Sequence, residues 1–149
     1  MSKTRLLLAA TCVAFAASAL GHSPEEDAVE YRQGLMTVIG WNFGPLGAMV
    51  KGKKPFDATA FALHADRIAF LSDQVIEGFP KGSDKGAHTD AKAALWANFD
   101  DFGEKAKAFN TEARALAEVA KTKDEAKSKA QFKKVAEACK ACHEKYKND

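Results

Sequence analysis

Cys139, Lys140, Ala141, Cys142 and His143 follow one another near the end of the chain. Two thiols three apart, with an imidazole directly after, can serve three chemistries. They can ligate zinc, form a redox dithiol, or anchor a haem and ligate its iron. A structural zinc site needs four ligands, usually from two such pairs. His22, His64 and His88 supply no second pair. A redox dithiol works best at a helix N-terminus in a βαβ setting. Here the motif falls at the C-terminal end of a predicted helix, where the dipole disfavours a thiolate. The haem reading accounts for the spacing. Residues three apart lie on nearly one helix face, so Cys139 and Cys142 can each add to a vinyl group of one haem c. His143 beside them can then reach the iron as proximal ligand.

The rest of the composition agrees with local chemistry at this motif. Of the three cysteines, Cys12 lies in an N-terminal stretch with the marks of a cleavable leader. That stretch has a basic start at Lys3 and Arg5, an apolar run from Leu6 to Ala19, and the small residues Ala17, Ser18 and Ala19. We expect a signal peptide over residues 1–21, cut after Ala19 or Gly21, and a mature domain over 22–149. The apolar run is short for a membrane anchor, and no other segment is apolar enough to span a bilayer, so the chain is not expected to be an integral membrane protein. Export predicts a periplasmic location, where a covalently held cofactor cannot be lost. The leader carries two of the 22 bases and none of the 20 acids, leaving the remainder balanced. That balance gives no reason to expect nucleic acid as a partner. The one basic run, Lys51 to Lys54, reads as a solvated loop. No nucleophile–base pair is visible, so the chain does not read as an enzyme.

Four amphipathic helices must position the motif. Ser23, Pro24 and the acids Glu25, Glu26 and Asp27 open the first. Val29, Met36, Ile39, Phe43, Leu46 and Val50 mark its apolar face, and Gly44-Pro45 is a candidate kink. Asp57 caps a second helix whose inner face holds Phe61, His64, Ile68, Leu71 and Val75. The stretch from Glu77 to His88 is a loop by composition. A long third helix is expected from Thr89 or Asp90, with Leu95, Phe99, Phe102, Ala106, Phe109, Ala113 and Leu116 inward. The fourth runs from about Asp124 to Tyr146, with Phe132, Val135, Cys139, Cys142 and Tyr146 inward or nearly so. No period-two strand, repeat or low-complexity run appears. The fold class is therefore all-α, an antiparallel four-helix bundle with the haem near the C-terminal helix.

Several segments resemble the cytochrome c′ family, the class II c-type cytochromes. They are "EDAVEYRQGLM", "VKGKKPFDATAF", "LWANFDDFGEKAKAF" and the ending "CKACHEKYK". The resemblance spans nearly the whole mature chain and is most specific at the ending. It implies a left-handed bundle, often a homodimer, with Arg32 and Gln33 near a haem propionate. A cation beside a carboxylate makes a charge-assisted hydrogen bond. Lys147 stands where the family commonly has Arg and lacks the guanidinium fork. Trp96 is expected to pack in the bundle, without a chemical role.

Met36 matches the position over the distal face of the haem. Members with an apolar non-ligand there keep an open iron that binds NO or CO. Members with Met can form a low-spin His/Met pair, which favours ferrous iron and closes the site. Packing is the other use of a buried Met. Met49 lies too near the far end of the first helix, and His64 reads as a core histidine. From the sequence, the leading expectation is a monohaem carrier of single electrons between periplasmic redox partners, with Met36 as distal iron ligand. The alternative is an NO- or CO-binding protein with an open distal side.

Overall fold

The computed structural model describes residues 21, 23–85 and 87–148. The expected signal peptide lies outside the described residues. Five α-helices follow in order: α1 (Pro24–Val50), α2 (Ala58–Ser72), the short α3 (Ala94–Ala97), α4 (Phe99–Lys121) and α5 (Glu125–Tyr146). One 3-10 turn, Val75–Gly78, follows α2. The long helices α1, α2, α4 and α5 form the expected antiparallel four-helix bundle. Among the described residues there is no strand. A single bridge pairs Ala91 with Lys147 and ties the α2–α4 connection to the end of α5. No helix among the described residues is long and apolar enough to cross a membrane.

Local chemistry sets the helix ends. Ser23 and Glu26 form a reciprocal capping box: Glu26 N–H donates to Ser23 Oγ at 3.2 Å, and Ser23 N–H donates to Glu26 Oε2 at 2.7 Å. Gly52, at φ +69°, ends α1 in the left-handed conformation that glycine adopts without penalty. The helix runs through Pro45 to Val50 as one element. Asp57 caps α2 by accepting from the N–H groups of Thr59 and Ala60. Asp124 caps α5 by accepting from Lys127 N–H at 3.0 Å.

Three boundaries depart from the sequence expectation. The third helix, expected from Thr89 or Asp90, begins only at Ala94, because Ala91 pairs with Lys147 in a bridge instead of entering a helix. The second helix ends at Ser72, so Val75 is buried from the 3-10 turn rather than from α2. The expected long third helix is broken at Asn98. Its side-chain amide donates to Ala94 O at 2.8 Å, and its backbone sits at φ −130°. Asparagine side chains compete with the helical ladder in this way. The break turns Phe99 outward, where it is exposed instead of inward as its spacing suggested.

The core is continuous from Leu46 and Phe61 through Ile68, Leu116 and Val135, all fully buried. Burial of such side chains drives the assembly of helices that would be marginal alone. On the outside of α1 and α2, Val38, Trp41, Leu63 and Phe70 form an exposed apolar face, with Trp41 77% and Phe70 71% accessible. Leu116→Ala leaves a cavity at a fully buried core site. The expected cost is about 2–5 kcal/mol of unfolding free energy, read from urea denaturation.

Candidate functional site

At the C-terminal end of α5 the bundle opens into a cleft of about 170 Å³, open to solvent on one side. From α5 come Cys142, His143 and Tyr146, with Lys147 just beyond. Opposite them, α1 contributes Arg32, Gln33 and Met36, one helical turn from first to last. Phe79, Thr89, Asp90 and Ala91 of the α2–α4 connection form a side wall, and Leu95 and Phe102 form the floor. Cys139 packs half-buried against the core beside the cleft, outside its lining.

The electrostatics of the motif select among its three chemistries. Both cysteines are free and half-buried. Burial, and then the neighbouring Cys142, push the Cys139 thiol up to about 11. Burial also raises Cys142. Protonated thiols are weak nucleophiles, which does not suit a dithiol that acts through its thiolate. Among the described residues, no group of three or more His, Cys, Asp or Glu is placed to hold a metal ion. His143 keeps an exposed edge, yet atoms crowding the ring hold its pKa below the ordinary value, with Lys147 adding to the effect. It is therefore neutral at pH 7, the form in which an imidazole nitrogen can bind a metal.

The structure gives each of the other sequence candidates a distinct setting. Arg32 is buried, 3% accessible, and donates four hydrogen bonds. Gln33 is exposed and donates to His88 O at 3.0 Å. Met36 is half-buried and shares the cleft with His143. Met49 is buried away from the cleft, and its sulfur accepts from Asp57 N–H at 3.4 Å. His64 is half-buried outside the cleft and pairs through Nδ1 with Asn42 Oδ1 at 3.0 Å. Lys147 lies 3.8 Å from Asp90 at the rim. Trp96 packs half-buried near Phe79, with its indole N–H on Pro80 O.

Sequence reasoning missed one cluster. The Tyr146 hydroxyl donates to Asp101 Oδ2 at 2.5 Å, and Lys145 Nζ donates to the same oxygen at 3.0 Å. Tyr146 stands one turn after His143, so it points the same way. That spacing was legible; its partner on α4 was not.

Residues 27–147 match the family model described as Cytochrome C'. A cytochrome c′ of Rubrivivax gelatinosus is 40% identical over 81% of this chain and 94% of its own. The solved cytochrome c prime of Shewanella frigidimarina is 46% identical, with a TM-score of 0.82 over 87% of this chain and all of that one. A nitric oxide complex of a variant cytochrome c prime from Alcaligenes xylosoxidans is 31% identical, with a TM-score of 0.78 over 87% of this chain and all of that one. This chain belongs to the cytochrome c′ family. It is a monohaem c-type cytochrome with one covalently attached haem c.

The residues of this cytochrome c′ fit that group. The cleft lining is largely apolar, as a macrocycle requires. Arg32 Nε is buried at the site with no hydrogen-bond partner. The two thiols are protonated and uncommitted to any disulfide.

Tyr146 also gives this cytochrome c′ a pH signature. The Tyr146 hydroxyl, first, and Lys145, second, hold the Asp101 carboxyl below its ordinary value. A carboxyl lowered on folding adds stability that is complete above its unfolded pKa of about 3.9. That stability is lost as pH falls through the lower folded value. Tyr146→Phe is expected to lower the urea midpoint at pH 7, and the gap to the native chain is expected to close below about pH 4. Urea titrations from pH 7 to pH 3 measure it.

Proposed function

We propose that this cytochrome c′ binds a small neutral diatomic, nitric oxide or carbon monoxide, on the distal side of its haem. The observation that carries the reading is the likeness, at 31% identity and a TM-score of 0.78, to a protein solved as a nitric oxide complex. The haem would supply an iron that changes oxidation state and takes a diatomic ligand. Cys139 and Cys142 would hold it through thioethers, for which their neutral, half-buried thiols are suited. His143 would present a neutral imidazole to the iron. From α1, Met36 would pack over the opposite side and exclude water from it. Arg32 and Gln33 would face a propionate at the edge, where the buried guanidinium offers a positive charge.

A second reading has its own observation. Met36 places a thioether in the cleft that His143 lines. If that sulfur bonds to the iron, the protein is a single-electron carrier between redox partners, with a raised potential and a closed site. Visible spectra of the ferric and ferrous protein, with and without CO, separate the two. Gas binding is expected to give broad high-spin bands that move with CO, unchanged in type by Met36→Leu. Sharp, split ferrous bands unmoved by CO would overturn it in favour of the carrier, and Met36→Leu would then turn the protein high-spin.

The same reading includes export to the periplasm behind the leader, and pairing of two copies. The apolar face of Val38, Trp41, Leu63 and Phe70 supports pairing, because exposed patches of this kind commonly mark protein contacts. Trp41→Glu is expected to convert a dimer to a monomer in sedimentation velocity. A native protein that sediments as a monomer would refute the pairing.

A further inference from the structure

The α2–α4 connection is long and, past the 3-10 turn, has little regular structure of its own. Such segments are uncommon in compact domains unless something holds them or they carry function. Here one side chain from α1 holds it. Arg32 Nη1 donates to Gly78 O at 3.0 Å and to Ser83 Oγ at 2.9 Å. Arg32 Nη2 donates to Ser83 O at 2.7 Å and to Thr89 Oγ1 at 2.8 Å. The guanidinium carbon also lies 5.1 Å from the Phe79 ring centroid and 5.5 Å from that of Trp96. Every hydrogen-bonding partner is uncharged and lies within residues 78–89.

The fit is close at both ends. A Cβ added at Gly78 would stand 2.7 Å from Arg32 Cβ, so only glycine lets the backbone lie against α1. Ser83 is fully buried and turns its hydroxyl on to Pro80 O at 2.9 Å. Thr89 Oγ1 accepts a second bond, from Ala91 N–H at 3.2 Å. The clamped segment then delivers Phe79, Thr89, Asp90 and Ala91 to the cleft wall, beside Met36 one turn along α1 from Arg32.

We propose that Arg32 is a positioning residue whose planar fork clamps the segment around Gly78, Ser83 and Thr89 into the cleft wall and thereby limits small-ligand access to the distal side. The access part rests on the gas-binding reading above; the clamp part does not. The fork is the operative feature, because two nitrogens span four acceptors on one segment. A lysine keeps the charge but presents a single donor head that cannot span them.

Hydrogen exchange of peptides covering 79–89 in the ferric holoprotein reads the clamp. Stopped-flow CO association with the ferrous holoprotein reads access. Arg32→Lys, Arg32→Met and Gly78→Ala are compared with the native chain, each checked for helicity. Gly78→Ala leaves Arg32 intact and displaces the segment from the other side. All three are expected to speed exchange of 79–89 by about tenfold or more, the factor implied by losing one charge-assisted hydrogen bond. CO association is expected to accelerate in the same order. Native-like exchange in Arg32→Lys would overturn the clamp, because charge alone would then suffice. So would native-like exchange in Gly78→Ala. Faster exchange with unchanged CO association would overturn the access role. A native protein that takes no CO would instead remove the gas-binding reading and the access role with it, leaving exchange to decide the clamp.

Discussion

A four-helix bundle that carries a cofactor must be closed at one end and parted at the other. In this chain the contact that sets the difference is Phe43 of α1 against Phe132 of α5, their ring centroids 4.4 Å apart. Gly47, one turn on, leaves room for the Phe132 ring to lie 3.6 Å from where a Cβ would stand. There the two helices meet. Towards Met36 and His143 the same helices line opposite sides of the cleft. Apolar residues of α1, α2, α4 and α5 share one continuous core that holds the bundle together. The cleft is thus a consequence of where the large side chains stop, as well as of which polar ones border it.

This explains why some parts were legible in the sequence and others were not. Caps are local, and Ser23, Asp57 and Asp124 announce helix starts by residue type alone. The spacing of Cys139, Cys142 and His143 is also local, being fixed by the turn of one helix. Met36 could be placed on the right face by periodicity. Asn98 could not be foreseen as a break, because its side chain chooses between solvent and Ala94 O only in the folded context. Phe99 then followed the break rather than the period. The early end of α2 has a similar origin: the chain must leave the helix for Gly78 to reach α1.

The polar groups of the site illustrate the same limit. Arg32 sits on the face periodicity marks as buried, yet its partners are 46 to 57 residues away in sequence. Tyr146 and Asp101 are 45 apart. Nothing in the spacing of either pair announces the bond. Composition also misleads here, since balanced charge over the chain hides a local imbalance. At the rim, Lys147 and Asp90 face one another at 3.8 Å. Arg32, a few residues inward, has no carboxylate within ion-pair distance among the described residues.

A guanidinium held only by uncharged acceptors is expensive to bury, since its charge has lost water without gaining a counter-ion. Burial accordingly lowers its pKa, though an arginine stays charged at any ordinary pH. The aromatic faces of Phe79 and Trp96 recover part of the cost through their ring quadrupoles. The hydrogen bonds recover more, because bonds to a charged donor are stronger than neutral ones. Placing an acidic residue beside Arg32 would have offset the charge fully. It would also have left the cleft with no net positive charge to offer a carboxylate on a bound group. The chain instead satisfies the guanidinium's geometry through uncharged acceptors and leaves its charge without a counter-ion at the cleft.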